Sequence, residues 1–450
     1  MMKNVNLLEG PIFPNLTKLA VPIMATSLVQ MAYNLIDMIW IGRVGSAAVA
    51  AVGAAGMYMW LGNGLSTLTK MGSQIKVGQS LGAGNKKEAS EYATSGIQLA
   101  LLLGLIVTLI IFSMADPCIR FLGLNGSQTI KDGTIYLRLV SIGILFTFMN
   151  QVLTGIFTAM GNSKVSFRAT AVGLVINIVL DPLLIFGLGP IDGFGVAGAA
   201  IATVIAQGVV TVMFLAACKK DQLLFHEIKI LSKPNVSDMG QITKIGFPIS
   251  IQSMIFTGIS MIISRLVAGF GDDAVAVQKV GSQIESISWM AAEGFSAAVN
   301  SFVAQNYGAG NHDRVKRGYK ISMNVVIGWG IFCTLLLIFL PGPIFKIFLT
   351  EAAVQPMGIK YLRILGVSQL FMCIEIATQG AFGGMGKTIP PSIVGITFTA
   401  ARIPMAMVLT TTALGLNGIW WSISISSIIK GIVLVSWFVW FLRRYERRYS

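Results

Sequence analysis

The feature that most limits what this chain can fold into is a series of long apolar runs. A transmembrane helix needs about 20 mostly apolar residues, and the sequence contains twelve runs of about that length. They lie near residues 17–41, 47–70, 95–115, 134–157, 168–188, 195–217, 243–267, 274–301, 321–340, 359–383, 391–413 and 417–441. Only 12% of the 450 residues are charged, about half the usual share in a soluble domain. The sequence therefore predicts an all-α, multi-pass membrane protein and excludes a soluble enzyme and a disordered chain.

The basic residues orient these predicted helices. An even number of spans places both termini on the same side of the membrane, and most of the 33 lysines and arginines fall in connections on that side. Because cytoplasmic loops carry the excess of basic residues, both termini are expected in the cytoplasm. The same bias explains the net charge of +14 without a nucleic-acid partner, and makes the lipid bilayer the expected surroundings.

The two halves of the sequence repeat each other. Matching residues recur at one nearly constant shift, which is typical of an internal duplication. The matches include Pro22 with Pro248, Gly45 with Gly271, Val77 with Val303, and the turn 79–85 with the turn 305–311. Each half then holds six helices, so the repeat predicts two six-helix bundles related by a pseudo-two-fold axis along the membrane normal. The expected domains are an N-terminal lobe (1–218), a cytoplasmic linker (219–243) and a C-terminal lobe (244–450).

Polar residues within the first helix are candidates for function. Gln30, Asn34 and Asp37 are spaced by four and three residues, so they share one helix face. A charged side chain at the centre of a span is costly, by roughly 2.5–3.5 kcal/mol on insertion scales. Asp37 is therefore predicted to serve a function, whereas a satisfied polar contact between helices remains the alternative for Gln30.

The fifth and sixth helices add further oxygen atoms. Asn177 and Asp181 lie four residues apart on one face, Pro182 follows directly, and Thr203 is at a comparable depth in the sixth helix. Together with Asp37 they form an oxygen-rich set suited to a proton, a monovalent cation or an organic cation. A purely structural network that locks the helices together is the competing interpretation.

The second lobe also contains embedded charges. Glu375 and Arg402, on the tenth and eleventh spans, could neutralise each other, and a structural pair is as plausible as a functional site. Glu293 lies beside a glycine and is expected to face a cleft, with Glu285 about two turns earlier. Lys430 is expected to pair with neighbouring helices and is assigned no role.

No cofactor is predicted. The two histidines and four cysteines have no metal-binding spacing. Residues 380–388 resemble a phosphate-binding loop, but Ala381 stands where that loop needs glycine, and the segment follows an apolar helix. The spans contain no nucleophile and base in a catalytic pattern, so the chain is not expected to be an enzyme or an ATP-driven pump. Transport would have to be driven by an ion gradient or by the gradient of the substrate itself.

Several segments resemble one known family. They are the Tyr33–Asp37 segment, Asn177-Ile-Val-Leu-Asp181-Pro182 followed by Gly195-Val-Ala-Gly198, Gly386-Lys-Thr, and Arg402-Ile-Pro404. With these segments the chain resembles the multidrug and toxic compound extrusion (MATE) family, in its DinF-like branch. The resemblance implies twelve helices in two bundles. It also implies multidrug efflux of lipophilic, mostly cationic compounds or drugs, antibiotics included, by antiport against protons or sodium ions, in a prokaryotic plasma (inner) membrane.

The resemblance also implies roles for residues. Asp37, Asn177, Asp181 and Thr203 match the ion-coupling site of that branch, and Gln30 matches a residue facing the substrate cavity. Substrate is then expected to contact Gln30, Asn34, Asp37 and Asp181. Some relatives place carboxylates on the seventh and tenth helices. Here the seventh-helix candidate is Gln252, while Glu375 remains, so the first lobe is favoured over the second-lobe candidates Glu293, Glu375 and Arg402.

Two other functions remain open at this point. A lipid-linked or polysaccharide flippase of the same superfamily would keep the architecture, but it predicts a strongly cationic cavity, whereas the expected cavity of the first lobe is acidic. An ion channel predicts a continuous pore, whereas acids within the helices of a repeated fold favour a carrier. The chain is expected to act as a monomer, because two fused lobes already enclose one cleft.

Overall fold

The computed structural model describes residues 4–122, 126–188, 191–221, 223–228, 230, 232–348 and 351–449. In the first half the helices are α1 (Ile12–Val44), α2 (Ser46–Gly82), α3 (Lys86–Phe121), α4 (Ser127–Ala159), α5 (Ser163–Phe186) and α6 (Val196–Lys220). In the second half they are α7 (Val236–Ala268), α8 (Asp272–Gly308), α9 (His312–Phe339), α10 (Pro341–Phe348), α11 (Gln355–Gly384), α12 (Ile389–Ala400), α13 (Arg402–Thr410) and α14 (Leu416–Tyr449). Two-residue strands, β1 (Gly187–Leu188) and β2 (Ile191–Asp192), pair between α5 and α6.

The described helices account for all twelve predicted runs. Ten spans, with α12 and α13 taken together, are long and apolar enough to cross a membrane. The other two, α2 and α8, have 37 residues each and carry more polar side chains. The run near 391–413 is divided at Ala401. Pro404 has no N–H to donate to the carbonyl of Ala400, so the helical ladder is interrupted there.

The chain forms two compact units whose bounds differ from the lobes expected from the repeat. The first unit contains the segment ending at Asn6 and Val21–Ser250, and the second contains Leu7–Ala20 and the chain from Ile251 onwards. The beginning of α1 therefore belongs to the second unit, and the beginning of α7 to the first. The change between Asn6 and Leu7 comes before α1, whereas the other two changes occur inside a continuous helix and within three residues of a repeat-related proline, Pro22 or Pro248.

The segment expected to be a linker (219–243) packs within the first unit. The carboxylate of Asp221 accepts hydrogen bonds from the backbone N–H groups of Leu223, Leu224 and Phe225 at 2.9–3.2 Å. Leu224 is buried, and the Phe225 ring lies 4.9 Å from that of Phe157 on α4. The reason is composition, because apolar side chains in a polar stretch can be removed from water only by packing against the helices. Its cytoplasmic placement stays a prediction.

Close contact between α5 and α6 positions the polar residues of the first unit. The backbone N–H groups of Phe194 and Gly195 donate to the carbonyls of Leu184 and Ile185, at 2.8 and 3.0 Å, and so cap the end of α5. A side chain at Gly198 would collide with the Leu184 carbonyl. Glycine therefore lets α6 begin directly against the end of α5, which brings the next two turns of α6 to the polar face of α5.

In the second unit, α11 and α14 pack closely around an aromatic pair. The rings of Tyr361 and Trp420 meet edge to face at 5.1 Å, and both residues are fully buried. Near the middle of α14, a Cβ atom on Gly431 would lie 2.6 Å from the carbonyl oxygen of Phe371. Only glycine permits this approach, and it places the neighbouring Lys430 beside α11.

Candidate functional site

The most buried part of the candidate site is on α5. Asn177 and Asp181 are fully buried, and the Asn177 Nδ2 donates a hydrogen bond to Asp181 Oδ1 at 3.1 Å. The other oxygen of each side chain, Asn177 Oδ1 and Asp181 Oδ2, is buried without a hydrogen-bond partner among the described residues. Buried polar atoms are nearly always paired, so two free acceptors one turn apart indicate a position for a bound cation or proton.

The backbone of α5 adds another acceptor. Pro182 lies inside the helix and has no N–H, so the carbonyl of Ile178 lacks its usual helical donor. The opening is on the turn that carries Asn177 and Asp181. The sequence pattern therefore concentrates oxygen atoms on this turn and weakens the helix at the same place.

Asp37 on α1 completes the acidic pair. Its side chain is partly buried, and Oδ1 has no hydrogen-bond partner among the described residues. Asp37 and Asp181 are close enough to interact electrostatically. The ion pairs of the described residues involve neither carboxylate. The first unit thus brings together two acids from distant parts of the sequence.

Hydroxyl groups surround the two acids. The Tyr33 hydroxyl donates to Thr203 Oγ1 at 3.0 Å, which joins α1 to α6. Tyr136 on α4 is buried, and its hydroxyl interacts with Thr203 and with the charges of Asp37 and Asp181. The site therefore draws on α1, α4, α5 and α6.

Neither tyrosine is among the site residues predicted from the sequence. Tyr33 is four residues before Asp37, one helical turn away, and that spacing could have identified it. Tyr136 has a weaker signal, since neither helical spacing nor a charged neighbour links it to the two acids. Its place in the site depends on how α4 packs against α6, which the sequence does not reveal.

Gln30 and Asn34 are placed differently from the acids. Both side chains are exposed, and the hydrogen bonds described for the site include neither of them. The structure therefore brings Asp37, Asn177, Asp181 and Thr203 together and leaves Gln30 and Asn34 on an open part of α1. Contact between these two residues and substrate stays a prediction.

The site offers charged carboxylate oxygens together with neutral amide and hydroxyl oxygens as ligands. Carboxylate, amide and hydroxyl oxygens suit protons and hard cations, whereas soft metals prefer thiolate or imidazole. In the described part of the chain, histidine, cysteine, aspartate and glutamate form no group of three or more that could hold a metal ion.

The second unit contains a different polar cluster. Glu375 Oε2 lies 3.1 Å from the Lys430 ammonium, so the direct partner of Glu375 is Lys430 and not Arg402. Arg402 instead donates to Ser426 Oγ at 2.7 Å and to Ser427 Oγ at 3.1 Å. The direct Glu375–Arg402 pair that the sequence left open as one alternative is therefore not found, although the two charges still interact at longer range.

The other two acids predicted in the spans of the second lobe, Glu285 and Glu293, lie in different surroundings. Glu285 Oε1 accepts a hydrogen bond from Gln369 Nε2 at 3.1 Å and interacts electrostatically with Arg402. Glu293, two turns later on α8, is exposed. The buried charges among the described residues of the second unit are therefore Glu375, Arg402 and Lys430, and the half-buried Glu285 interacts with Arg402.

Comparison with known proteins identifies the family. The MatE family model matches residues 22–183 and 248–408, one match in each half of the chain. The chain belongs to the MatE family. This is a family of transporters, so the prediction that the protein is not an enzyme is confirmed. The two matches also follow the internal repeat read from the sequence.

Relatives of this MatE chain cover almost its whole length. A probable multidrug resistance protein NorM of Thermotoga maritima is 28% identical over 90% of this chain and 87% of its own length. A multidrug export protein MepA of Staphylococcus aureus is 24% identical over 93% and 91%. A probable multidrug resistance protein YpnP of Bacillus subtilis is 27% identical over 94% of both chains.

Solved structures show the same fold. A multidrug resistance MATE family transporter of the MOP superfamily, in an outward-facing conformation, superposes with a TM-score of 0.91 at 25% identity and covers 98% of both chains. A MATE crystal structure in a bent conformation also gives 0.91 at 25% identity, with 99% coverage of both chains. The predicted all-α fold of twelve transmembrane helices in two bundles is confirmed, and the protein is a multi-pass membrane transporter.

Proposed function

We propose that this chain is a secondary active multidrug exporter that exchanges lipophilic, mostly cationic compounds for protons or sodium ions. The observation that carries this proposal is the pair Asp37 and Asp181, whose carboxylates share one site while one oxygen of each lacks a described donor. Relatives are named as multidrug resistance and export proteins, which supports drugs as the exported substrates. The proposed exchange needs no cofactor bound to the protein.

The two carboxylates exchange one cationic partner for another. Because they interact, they bind and release cations as one coupled unit. When the site opens to the outside, a proton or sodium ion occupies it, and the organic cation loses its counter-charge and leaves. When it opens to the cytoplasm, the ion dissociates and a new organic cation binds. Bending of α1 near Pro22 and of α5 near Pro182 changes access to the site.

The proposed orientation in the membrane follows from the charge distribution. Both termini lie in the cytoplasm, because the connections on that side hold most of the basic residues. The protein acts as a monomer in a prokaryotic plasma membrane. Substrate contacts Gln30 and Asn34 in addition to the two acids. The two carboxylates of the site favour organic cations over phosphorylated lipids.

The test uses purified protein in liposomes loaded with a fluorescent organic cation. A pH gradient and a sodium gradient are imposed separately, and Asp37→Asn serves as the control variant. Flux driven by one gradient and absent from the variant supports the proposal and identifies the ion. Absence of any gradient-driven flux, with the variant equal to the parent protein, contradicts it and favours a lipid-linked substrate.

A further inference from the structure

Lys430 on α14 forms a buried ion pair with the carboxylate of Glu375. The ammonium lies 3.1 Å from Glu375 Oε2, and the two side chains are only 8% and 4% exposed. The other oxygen, Oε1, accepts a hydrogen bond from Gln379 Nε2 at 2.9 Å. Both oxygens of Glu375 therefore have donors from the protein, unlike the carboxylates of Asp37 and Asp181.

The charges around this pair also balance. On α13, Arg402 is held by Ser426 and Ser427 and interacts electrostatically with Glu375 and with Glu285 of α8. The cluster therefore combines two acids, the buried Glu375 and the half-buried Glu285, with the two buried bases Arg402 and Lys430. Tyr361 of α11 is the other titratable group that interacts with Arg402. No net charge is left for a dissolved cation to neutralise.

We propose that Lys430 is a tethered counter-ion that occupies the cation position of Glu375 throughout the transport cycle, so that ion exchange is confined to Asp37 and Asp181. This inference rests on the proposed function, because it states which carboxylates carry the coupling ion. It assigns Lys430 a positioning role, since its ammonium acts on Glu375 and not on the substrate.

The physical reason lies in the attachment of the ammonium. A proton or sodium ion can leave a carboxylate for water when access changes, whereas the Lys430 ammonium stays attached to α14. Separating the pair inside the bilayer would leave two unpaired charges in a medium of low dielectric constant, which is strongly unfavourable. Gly431 keeps α14 against α11 at this level, so the pair is held by backbone packing as well as by charge.

A charge-balanced double substitution tests the inference. Glu375→Gln and Lys430→Met are each expected to lower transport by roughly tenfold or more, because each leaves one buried charge without its partner. The double variant Glu375→Gln/Lys430→Met removes both charges and is expected to recover transport with the same ratio of coupling ions to substrate. Lys430→Arg keeps the pair and should behave like the parent protein. Arg443→Met, at an exposed position of the same helix, controls for loss of a positive charge.

A folded double variant that transports with a lower ion-to-substrate ratio would overturn the inference, because Glu375 would then carry a coupling ion. The ratio is obtained from the membrane potential or ion gradient at which net flux reverses. A lower ion-to-substrate ratio in Glu375→Gln alone, with normal expression and chromatographic behaviour, would also overturn the inference.

A binding measurement separates this inference from the proposed function. In an Asp37→Asn/Asp181→Asn background, the added change Lys430→Met is expected to create one new binding site for a proton or sodium ion. The site is detected by proton uptake on acidification or by retention of radioactive sodium, and it disappears again in Glu375→Gln/Lys430→Met. If Lys430→Met creates no such site, Lys430 is not the counter-ion, whatever the parent protein transports.

Discussion

Asn177 and Asp181 lie one turn apart on α5, and their 3.1 Å hydrogen bond pairs one oxygen of the carboxylate while Oδ2 stays without a protein donor. A carboxylate held in this way keeps its orientation and retains an acceptor for an exchangeable partner. The amide acts as a fixed support, and the free oxygen is where the proposed coupling ion would bind.

Neutralising either acid should abolish coupled export. We expect Asp37→Asn and Asp181→Asn to reduce gradient-driven flux to the background of protein-free liposomes, since asparagine preserves shape but cannot exchange a cation. Expression and size-exclusion profiles should stay unchanged. Asp192→Asn, at an exposed position in the same unit, is the matched control and should transport normally. Parent-level flux in either site variant would refute the assignment.

The hydroxyl pair of Tyr33 and Thr203 should contribute modestly and jointly. Tyr33→Phe and Thr203→Val each remove one side of a 3.0 Å hydrogen bond. A double-mutant cycle on apparent ion affinity should give a coupling energy of about 0.5–1.5 kcal/mol. Additive effects of the two substitutions would show that this bond has no part in ion binding.

The contact between α5 and α6 should be sensitive to a single methyl group. In Gly198→Ala the new Cβ would collide with the Leu184 carbonyl, and overpacking of this kind costs about 1–3 kcal/mol. Gly208→Ala is the matched control on the same helix, because its Cβ would meet only the Phe146 ring at an ordinary 3.7 Å. Thermal unfolding in detergent should show a clearly lower melting temperature for Gly198→Ala and an unchanged melting temperature for Gly208→Ala.

Asp221 should stabilise the connection between α6 and α7. Its Oδ2 accepts three backbone hydrogen bonds, so Asp221→Ala is expected to lower stability by about 1–2 kcal/mol. The loss should appear as faster cleavage of this connection by a protease. Asp221→Asn retains an acceptor oxygen and should be cleaved more slowly than the alanine variant. Equal cleavage of all three proteins would show that the cap does not order the segment.

Hydropathy predicts the twelve helices well because lipid offers no partners for backbone groups, so each crossing must be a long apolar helix. The face shared by Asn177 and Asp181 follows from helical spacing alone. The division between α12 and α13 can also be predicted from the sequence, because Pro404 has no backbone N–H to donate to the preceding turn.

Contacts between distant helices could not be predicted in this way. The position of Tyr136 depends on how α4 rotates against α6, and the partner of Glu375 depends on how α14 packs on α11. Arg402 and Lys430 are equally plausible partners for Glu375 on charge alone. What separates them is packing at Gly431 and the two serines that engage Arg402.

The exchange of helix beginnings has a consequence for work with separate halves of the chain. A chain cut within the connection between α6 and α7 leaves the start of α7 on the C-terminal fragment, although that segment belongs to the first unit. The start of α1 stays on the N-terminal fragment, although it belongs to the second unit. Neither fragment therefore contains the whole of a unit, and each unit takes one helix beginning from the other half of the sequence.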